Sequence, residues 1–284
     1  MGSLASTVRD VGLQQLAFAP PPCAYTLGQC DTVMTADGDR VALRLFVQEQ
    51  NTLQNWRARR DYVDTRLLII FSHGNSDDIQ TSAPYCEWLS RTFDANVVSY
   101  DYIGFGQSTK GRTTEVNMCQ AIEAVYDLAV NRMGVPPQQV VLFGKSIGTG
   151  PTVSLASGKR PTSGVILVSP LASGVRCVCD SESVPRAILE CIDGVFMPSV
   201  QRMAQVKVPT CVVHGTDDEV IGIDNAQALV ARCGALAVYP PLYVPAGHND
   251  IEARHGPLFV AHIRRFLGYT ANIAALPYTR DVDD

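Results

Sequence analysis

The chain has 284 residues, 46% of them hydrophobic and 18% charged, with a formal net charge of -5 at pH 7. That is enough apolar material for one large core, and mild acidity without a basic stripe argues against nucleic acid as a partner. The longest apolar runs have the length of strands, so no transmembrane helix is expected.

In chain order, residues 1–24 read as an N-terminal tail, 25–270 as a single α/β domain and 271–284 as a C-terminal tail. Two leading antiparallel strands are predicted near Asp31 to Thr35 and Arg40 to Gln48, joined by a turn at Asp37-Gly38-Asp39. The polar, arginine-rich stretch Glu49 to Thr65 reads as a surface loop. Strands near Leu67, Val97, Val140, Val165, Cys211 and Leu242 then alternate with helices at Ala83 to Thr92, Glu115 to Met133, Thr149 to Ala156, Asp224 to Arg232 and Gly256 to Leu267. Continuous apolar strands between amphipathic helices imply a parallel sheet covered on both faces. Asp101 to Ser108 lacks the third glycine of a dinucleotide-binding loop and reads as a strand-ending turn. Between Ser169 and Pro209 only one modest helical stretch, Pro185 to Ile192, is expected, which leaves little material to cap a site.

Cysteines stand at 23, 30, 86, 119, 177, 179, 191, 211 and 233. Their odd number and the lack of any Cys-x-x-Cys spacing fit mostly buried free thiols in a reduced cytosolic setting better than a disulfide framework or a zinc site. No metal and no organic cofactor is expected.

The chemistry concentrates on strand ends. Val140 to Phe143 runs into Gly144-Lys145-Ser146-Ile147-Gly148, the Gly-x-Ser-x-Gly pattern of a nucleophile elbow. Close packing on both sides of such a serine leaves no room for a β-carbon, hence glycine at 144 and 148. The following helix directs its positive end toward the hydroxyl. A serine nucleophile needs a base, the base an orienting carboxylate, and the oxyanion two main-chain donors. Leu67 to Phe71 leads into Ser72-His73-Gly74-Asn75, so the N–H groups of Asn75 and Ile147 are the expected oxyanion donors. Thr210 to Val213 opens into His214-Gly215-Thr216-Asp217-Asp218. Either aspartate is placed to orient the base, and Asp218 is preferred. Leu242 to Val244 precedes Gly247-His248, where the base is expected. His73 reads as shaping the oxyanion turn, His214 as capping its strand, and His255 and His262 as ordinary residues of the last helix.

The order serine, acid, histidine is that of an α/β-hydrolase, which implies an eight-stranded, mostly parallel sheet with helices on both faces and a minimal cap. More closely, His73-Gly74-Asn75, Tyr100-Asp101-Tyr102-x-Gly104-x-Gly106-x-Ser108, Gly144-x-Ser146-Ile147-Gly148-Thr149, Ser169-Pro170-Leu171-x-Ser173-Gly174, His214-Gly215-Thr216-x-Asp218-Glu219-Val220-Ile221 and Gly247-His248-Asn249-Asp250-Ile251-Glu252 resemble the α/β-hydrolase domain-containing protein 17 family. The likeness runs from about Leu16 to Leu267 and includes Leu16-Ala17-Phe18-x-Pro20-Pro21. Members are depalmitoylases, serine thioesterases that release S-acyl chains from cysteines of membrane-bound proteins. The resemblance therefore implies S-acylated proteins or small acyl esters as substrates, with Ser146, Asp218 and His248 as the catalytic residues.

Two departures stand out. The family's animal members begin with an acylated cysteine cluster, whereas the first 22 residues here hold no cysteine. Met1-Gly2-Ser3-Leu4-Ala5-Ser6 fits instead the pattern for N-myristoylation at Gly2, giving a peripheral membrane contact on the cytosolic face. One such chain binds only marginally, and Arg57, Arg59 and Arg60 are the basic residues available as a second signal. The other departure is Lys145, where the family carries glutamine. Beside the nucleophile it either helps hold oxyanion charge or points to solvent. Alternative readings are a serine peptidase of the prolyl-oligopeptidase type, an esterase of small or lipid esters, and a non-catalytic scaffold. The first usually carries a propeller domain that this length leaves no room for. The scaffold usually lacks a member of the triad, which is complete here.

Overall fold

The structure is a computed structural model that describes residues 17–58, 64, 66–178, 193–234 and 238–274. Gly2 and the Pro185 to Ile192 stretch lie outside the described residues.

The strands are β1 (Asp31–Met34), β2 (Arg40–Phe46), β3 (Leu68–Ser72), β4 (Asn96–Tyr100), β5 (Val140–Lys145), β6 (Gly164–Val168), β7 (Thr210–Gly215) and β8 (Leu242–Val244). They form one eight-stranded sheet in the order β1-β2-β4-β3-β5-β6-β7-β8. The pairs β1–β2 and β2–β4 are antiparallel, and every pairing from β4 through β3 to β8 is parallel. The tight turn at Gly38, closed by Thr35 N–H donating to the Asp39 carbonyl at 2.8 Å, makes the leading hairpin as expected.

Side-chain alternation explains why the central strands are apolar throughout. On β3, Leu68 and Ile70 face one layer while Ile69 and Phe71 face the other, and β5 splits the same way into Val140 and Leu142 against Val141 and Phe143. The first layer is closed by α3 (Glu115–Asp127), α4 (Thr149–Ala156) and α7 (Ile223–Arg232), through Met118, Ile122, Val125, Leu155 and Leu229. The second is closed by α2 (Ala83–Phe93) and α8 (Ile251–Ala274), through Cys86, Leu89, Phe259, Ile263 and Phe266. Each such fully buried side chain contributes about 1.5–3 kcal/mol relative to exposure. Between Ser169 and Pro209, where only Pro185 to Ile192 is expected to be helical, short helices α5 (Gly174–Val178) and α6 (Ser199–Met203) form.

Three further local expectations change. Glu49 to Thr65 is not simply a loop, because Gln50–Arg57 forms a helix, α1. Trp56, 1% exposed, and the half-buried Leu53 lie three residues apart and anchor one helical face, which the surrounding polar composition hides. The helix expected from Glu115 to Met133 is α-helical only to Asp127. It ends in a widened turn, Leu128–Arg132, closed by Met133 N–H donating to the Leu128 carbonyl at 3.0 Å. The last helix starts at Ile251, before the expected Gly256, and kinks at His255 (φ -127°, ψ 27°) where the Pro257 ring opposes a continuous backbone. Among the described residues no helix is long and apolar enough to cross a membrane, and no cluster of His, Cys, Asp and Glu is arranged to hold a metal ion.

Candidate active site

The elbow forms because β5 ends against a turn with no space to spare. A β-carbon on Gly148 would lie 2.2 Å from the Ser72 carbonyl oxygen, and one on Gly144 would lie 2.6 Å from Thr152 Oγ1. Ser146, between them, takes φ 53°, a left-handed conformation that costs a non-glycine residue about 1–3 kcal/mol. A single tight turn, Ser146–Gly148, then opens α4, and Thr149 Oγ1 donates to the Ser146 carbonyl at 2.7 Å.

Ser146 Oγ lies 2.9 Å from His248 Nε2, and His248 Nδ1 lies 2.7 Å from Asp218 Oδ2. Since a carboxylate only accepts, Nδ1 carries the proton and Nε2 is left free to accept from the serine hydroxyl. Asp218 is fixed in turn by Val220 and Ile221 N–H groups donating to Oδ1 at 2.9 and 2.8 Å. Burial favours the neutral acid, but the His248 hydrogen bond and these main-chain donors outweigh it and hold the carboxyl below the usual carboxylate range. Asp217 is exposed, and its carboxylate accepts only from the neighbouring Thr216 hydroxyl at 3.0 Å among the described residues. The geometry thus separates two adjacent aspartates that spacing left open.

The other histidines play supporting parts. His214 does not cap its strand. It lies fully buried inside the end of β7, with Nε2 2.8 Å from the Ile221 carbonyl and 3.4 Å from Asp218 Oδ2, bracing the acid loop. Burial lowers its pKa and keeps it neutral, so Nε2–H donates to Ile221. His73 lies in the turn that follows β3. It is fully buried, with Nδ1 2.8 Å from the Gly74 carbonyl and Nε2 3.4 Å from Asp101 Oδ1. Burial pulls its pKa down, but Asp101 and the Gly74 carbonyl raise it above the ordinary value. His255 Nε2 meets the Pro245 carbonyl at 3.1 Å, and His262 packs on Tyr239.

Gly148 abuts the carbonyls of Ser72 and His73 at the end of β3, which brings Ile147 alongside the loop carrying Asn75. Among the described residues the Asn75 main-chain N–H, outside any helix or strand, has no main-chain hydrogen-bond partner. Asp101 to Ser108 is a strand-ending turn, with Gly104 at φ 93° and Gly106 at φ 45°. Lys145 takes neither expected course: its Nζ lies 3.5 Å from Glu252 Oε1 and 5.0 Å from the centre of the Tyr85 ring.

Several supporting residues escaped sequence reasoning. Asp250 Oδ1 accepts the Gly247 N–H at 2.6 Å and fixes the turn that presents His248. The buried Asp101 accepts from the Ile79 N–H at 2.8 Å and from the Tyr25 hydroxyl. Their positions inside the Asp-Tyr and His-Asn-Asp motifs were the available signal, but the motifs do not say what each side chain touches.

Comparison with known proteins agrees with the fold. The family described as serine aminopeptidase, S33, matches residues 64–192. The chain is 33% identical over 273 residues to the Caenorhabditis elegans alpha/beta hydrolase domain-containing protein aho-3, covering 92% of this chain and 79% of that one. It is also 33% identical to human alpha/beta hydrolase domain-containing protein 17B over 259 residues, covering 84% and 85%. Among solved structures, an esterase of Pyrococcus furiosus aligns with a TM-score of 0.65 at 14% identity, covering 88% of this chain and 98% of that one, which supports the fold.

Proposed function

The chain belongs to the α/β-hydrolase domain-containing protein 17 family, and from that premise we propose that it is a serine thioesterase that removes S-acyl chains from cysteines of proteins at the cytosolic face of membranes. The observation that carries the serine-hydrolase part is the unbroken relay from Ser146 through His248 to Asp218, at 2.9 and 2.7 Å. The thioester part is supported by the motifs shared with depalmitoylases. It is also supported by leaving-group chemistry, since a thiolate departs more readily than an amine.

His248 takes the Ser146 proton as Oγ attacks the acyl carbonyl, and Asp218 stabilises the imidazolium that forms. The Asn75 and Ile147 N–H groups receive the oxyanion. His248 then protonates the departing thiol, the acyl group is held on Ser146, and water attacking under the same base releases the fatty acid. The relay and the two donors accomplish each step without any further group.

A peptidase reading draws on the serine aminopeptidase description matched to residues 64–192. The test compares S-acyl peptides, short esters and a peptide amide with wild type and Ser146→Ala. Serine-dependent release of long acyl chains from cysteine is expected, with Ser146→Ala lowering kcat on the order of 10⁶-fold and abolishing fluorophosphonate labelling. Turnover confined to the amide would replace the thioesterase with a peptidase, and labelling that persists in Ser146→Ala would overturn the nucleophile.

A further inference from the structure

The side chain of Asn75 is engaged far from the reacting atoms. Its Nδ2 donates to the Ala17 carbonyl at 2.8 Å and its Oδ1 accepts the Ala19 N–H at 2.9 Å. One side-chain amide thereby bonds to the backbone on both sides of Phe18, as a neighbouring strand would. Phe18, between the two bonded residues, sets its ring edge-on to Phe196, with centroids 5.9 Å apart at 87°. Phe196 is 1% exposed and is seated in the core beyond β6.

The same segment is fixed again further along. Tyr25, 3% exposed, donates its hydroxyl proton to Asp101, whose other oxygen accepts the Ile79 N–H at 2.8 Å. The stretch Ala17 to Tyr25 therefore holds the loop His73 to Ile79 at both ends, directly through Asn75 and by way of Asp101 through Ile79.

We propose that Ala17 to Tyr25 is a strap that sets the position of the oxyanion loop, with the Asn75 side chain as the positioning residue that joins them. The inference rests on the Asn75 N–H serving as an oxyanion donor. A main-chain donor stabilises a developing oxyanion only when held close to its productive place, and a displacement of about 1 Å costs about 10²-fold. Asn75 accordingly performs two tasks, its backbone facing the reaction and its side chain fastening that backbone to a segment more than fifty residues away. Shared loading of one residue explains why asparagine serves here: alanine would supply the same N–H and no fastening.

Three full-chain variants test this: Phe18→Ala, Asn75→Ala and the double variant. Both single variants keep the Asn75 N–H. Each is expected to lower kcat between about tenfold and 10²-fold with KM changed by less than about threefold, and the double variant to be no slower than the worse single one. Asn75→Asp, which keeps the acceptor for Ala19 and loses the donor to Ala17, is expected to fall between wild type and Asn75→Ala. It also supplies the comparison if the alanine variant does not fold. Hydrogen exchange gives a readout independent of turnover: Phe18→Ala should speed exchange of the amides from Gly74 to Ile79. Unchanged exchange there overturns the strap, as do independent, multiplying losses in the double variant or a rise in KM at constant kcat. If wild-type protein cleaves none of the acyl substrates, the thioesterase reading fails while exchange still decides the strap.

Discussion

Lys145 Nζ lies 3.5 Å from the Glu252 carboxylate, with only 17% and 15% of the two side chains exposed. Glu252 Oε1 also accepts the Tyr85 hydroxyl at 2.7 Å. The cation beside Ser146 thus ties the end of β5 to the start of α8, just past the loop that presents His248, and to α2 through Tyr85. This is a structural tie between the elements carrying serine and histidine.

Lys145→Gln, measured by steady-state turnover and fluorophosphonate labelling, should therefore leave kcat within about threefold of wild type. Loss of a true oxyanion donor costs about 10²–10³-fold, so a drop of that size would assign the lysine to the reaction. Glu252→Ala should be the more harmful change in thermal melts, because it strands Lys145 and the Tyr85 hydroxyl together, whereas Lys145→Gln leaves Glu252 still bonded to Tyr85.

Asp218→Asn should lower kcat by up to about 10⁴-fold, since the amide disturbs the tautomer that leaves Nε2 free to accept. Asp217→Asn should change it little, because that carboxylate faces solvent and touches only the Thr216 hydroxyl among the described residues. The reverse ranking of rates would move the acid by one residue.

How much of this was legible beforehand follows from the range over which each signal acts. Strands β3 and β5 announced themselves because both of their faces are buried, so every residue of Leu68 to Phe71 and of Val140 to Phe143 is apolar. The meeting of Ser146, Asp218 and His248 was legible because the fold puts each just past a strand end. Helix α1 was missed because Trp56 and Leu53 are its main apolar anchors in a polar stretch. The partner of Lys145 lies 107 residues away, and the Ala17 and Ala19 partners of Asn75 lie 58 and 56 residues away. Contacts closed by tertiary folding leave no local periodicity to read.

His214 gives a pH dependence of defined sign. Burial lowers its pKa in the folded protein, so the unfolded chain takes up the proton first. Its contribution to stability is complete above the unfolded value of about 6.5 and is lost as pH falls from there toward the depressed folded value. In thermal melts across this range, a His214→Gln variant should start less stable at neutral pH and lose less on acidification than wild type. An acid limb just as steep in the variant would mean that other groups set it. Asp218 adds a second loss of the same sign at lower pH. Its folded carboxyl sits below the ordinary range, so its contribution disappears as pH falls from about 3.9 through that depressed value.

Two Gly→Ala substitutions should act in opposite directions, which separates backbone freedom from lack of space. At Gly268, exposed within α8, a β-carbon meets nothing within 4 Å. The change removes unfolded-state freedom without a clash, so Gly268→Ala should stabilise by about 0.4–1 kcal/mol, visible as a rise in Tm with turnover unaltered. At Gly148 the same carbon would lie 2.2 Å from the Ser72 carbonyl oxygen and 2.6 Å from that of His73. These are main-chain atoms at the end of β3, so relief requires the elbow and the oxyanion loop to move apart, carrying Ile147 from Asn75. Gly148→Ala should therefore lose turnover and fluorophosphonate labelling together. Labelling at the wild-type rate would show that the two loops can separate without harm, and that their close approach is not what sets the reactivity of Ser146.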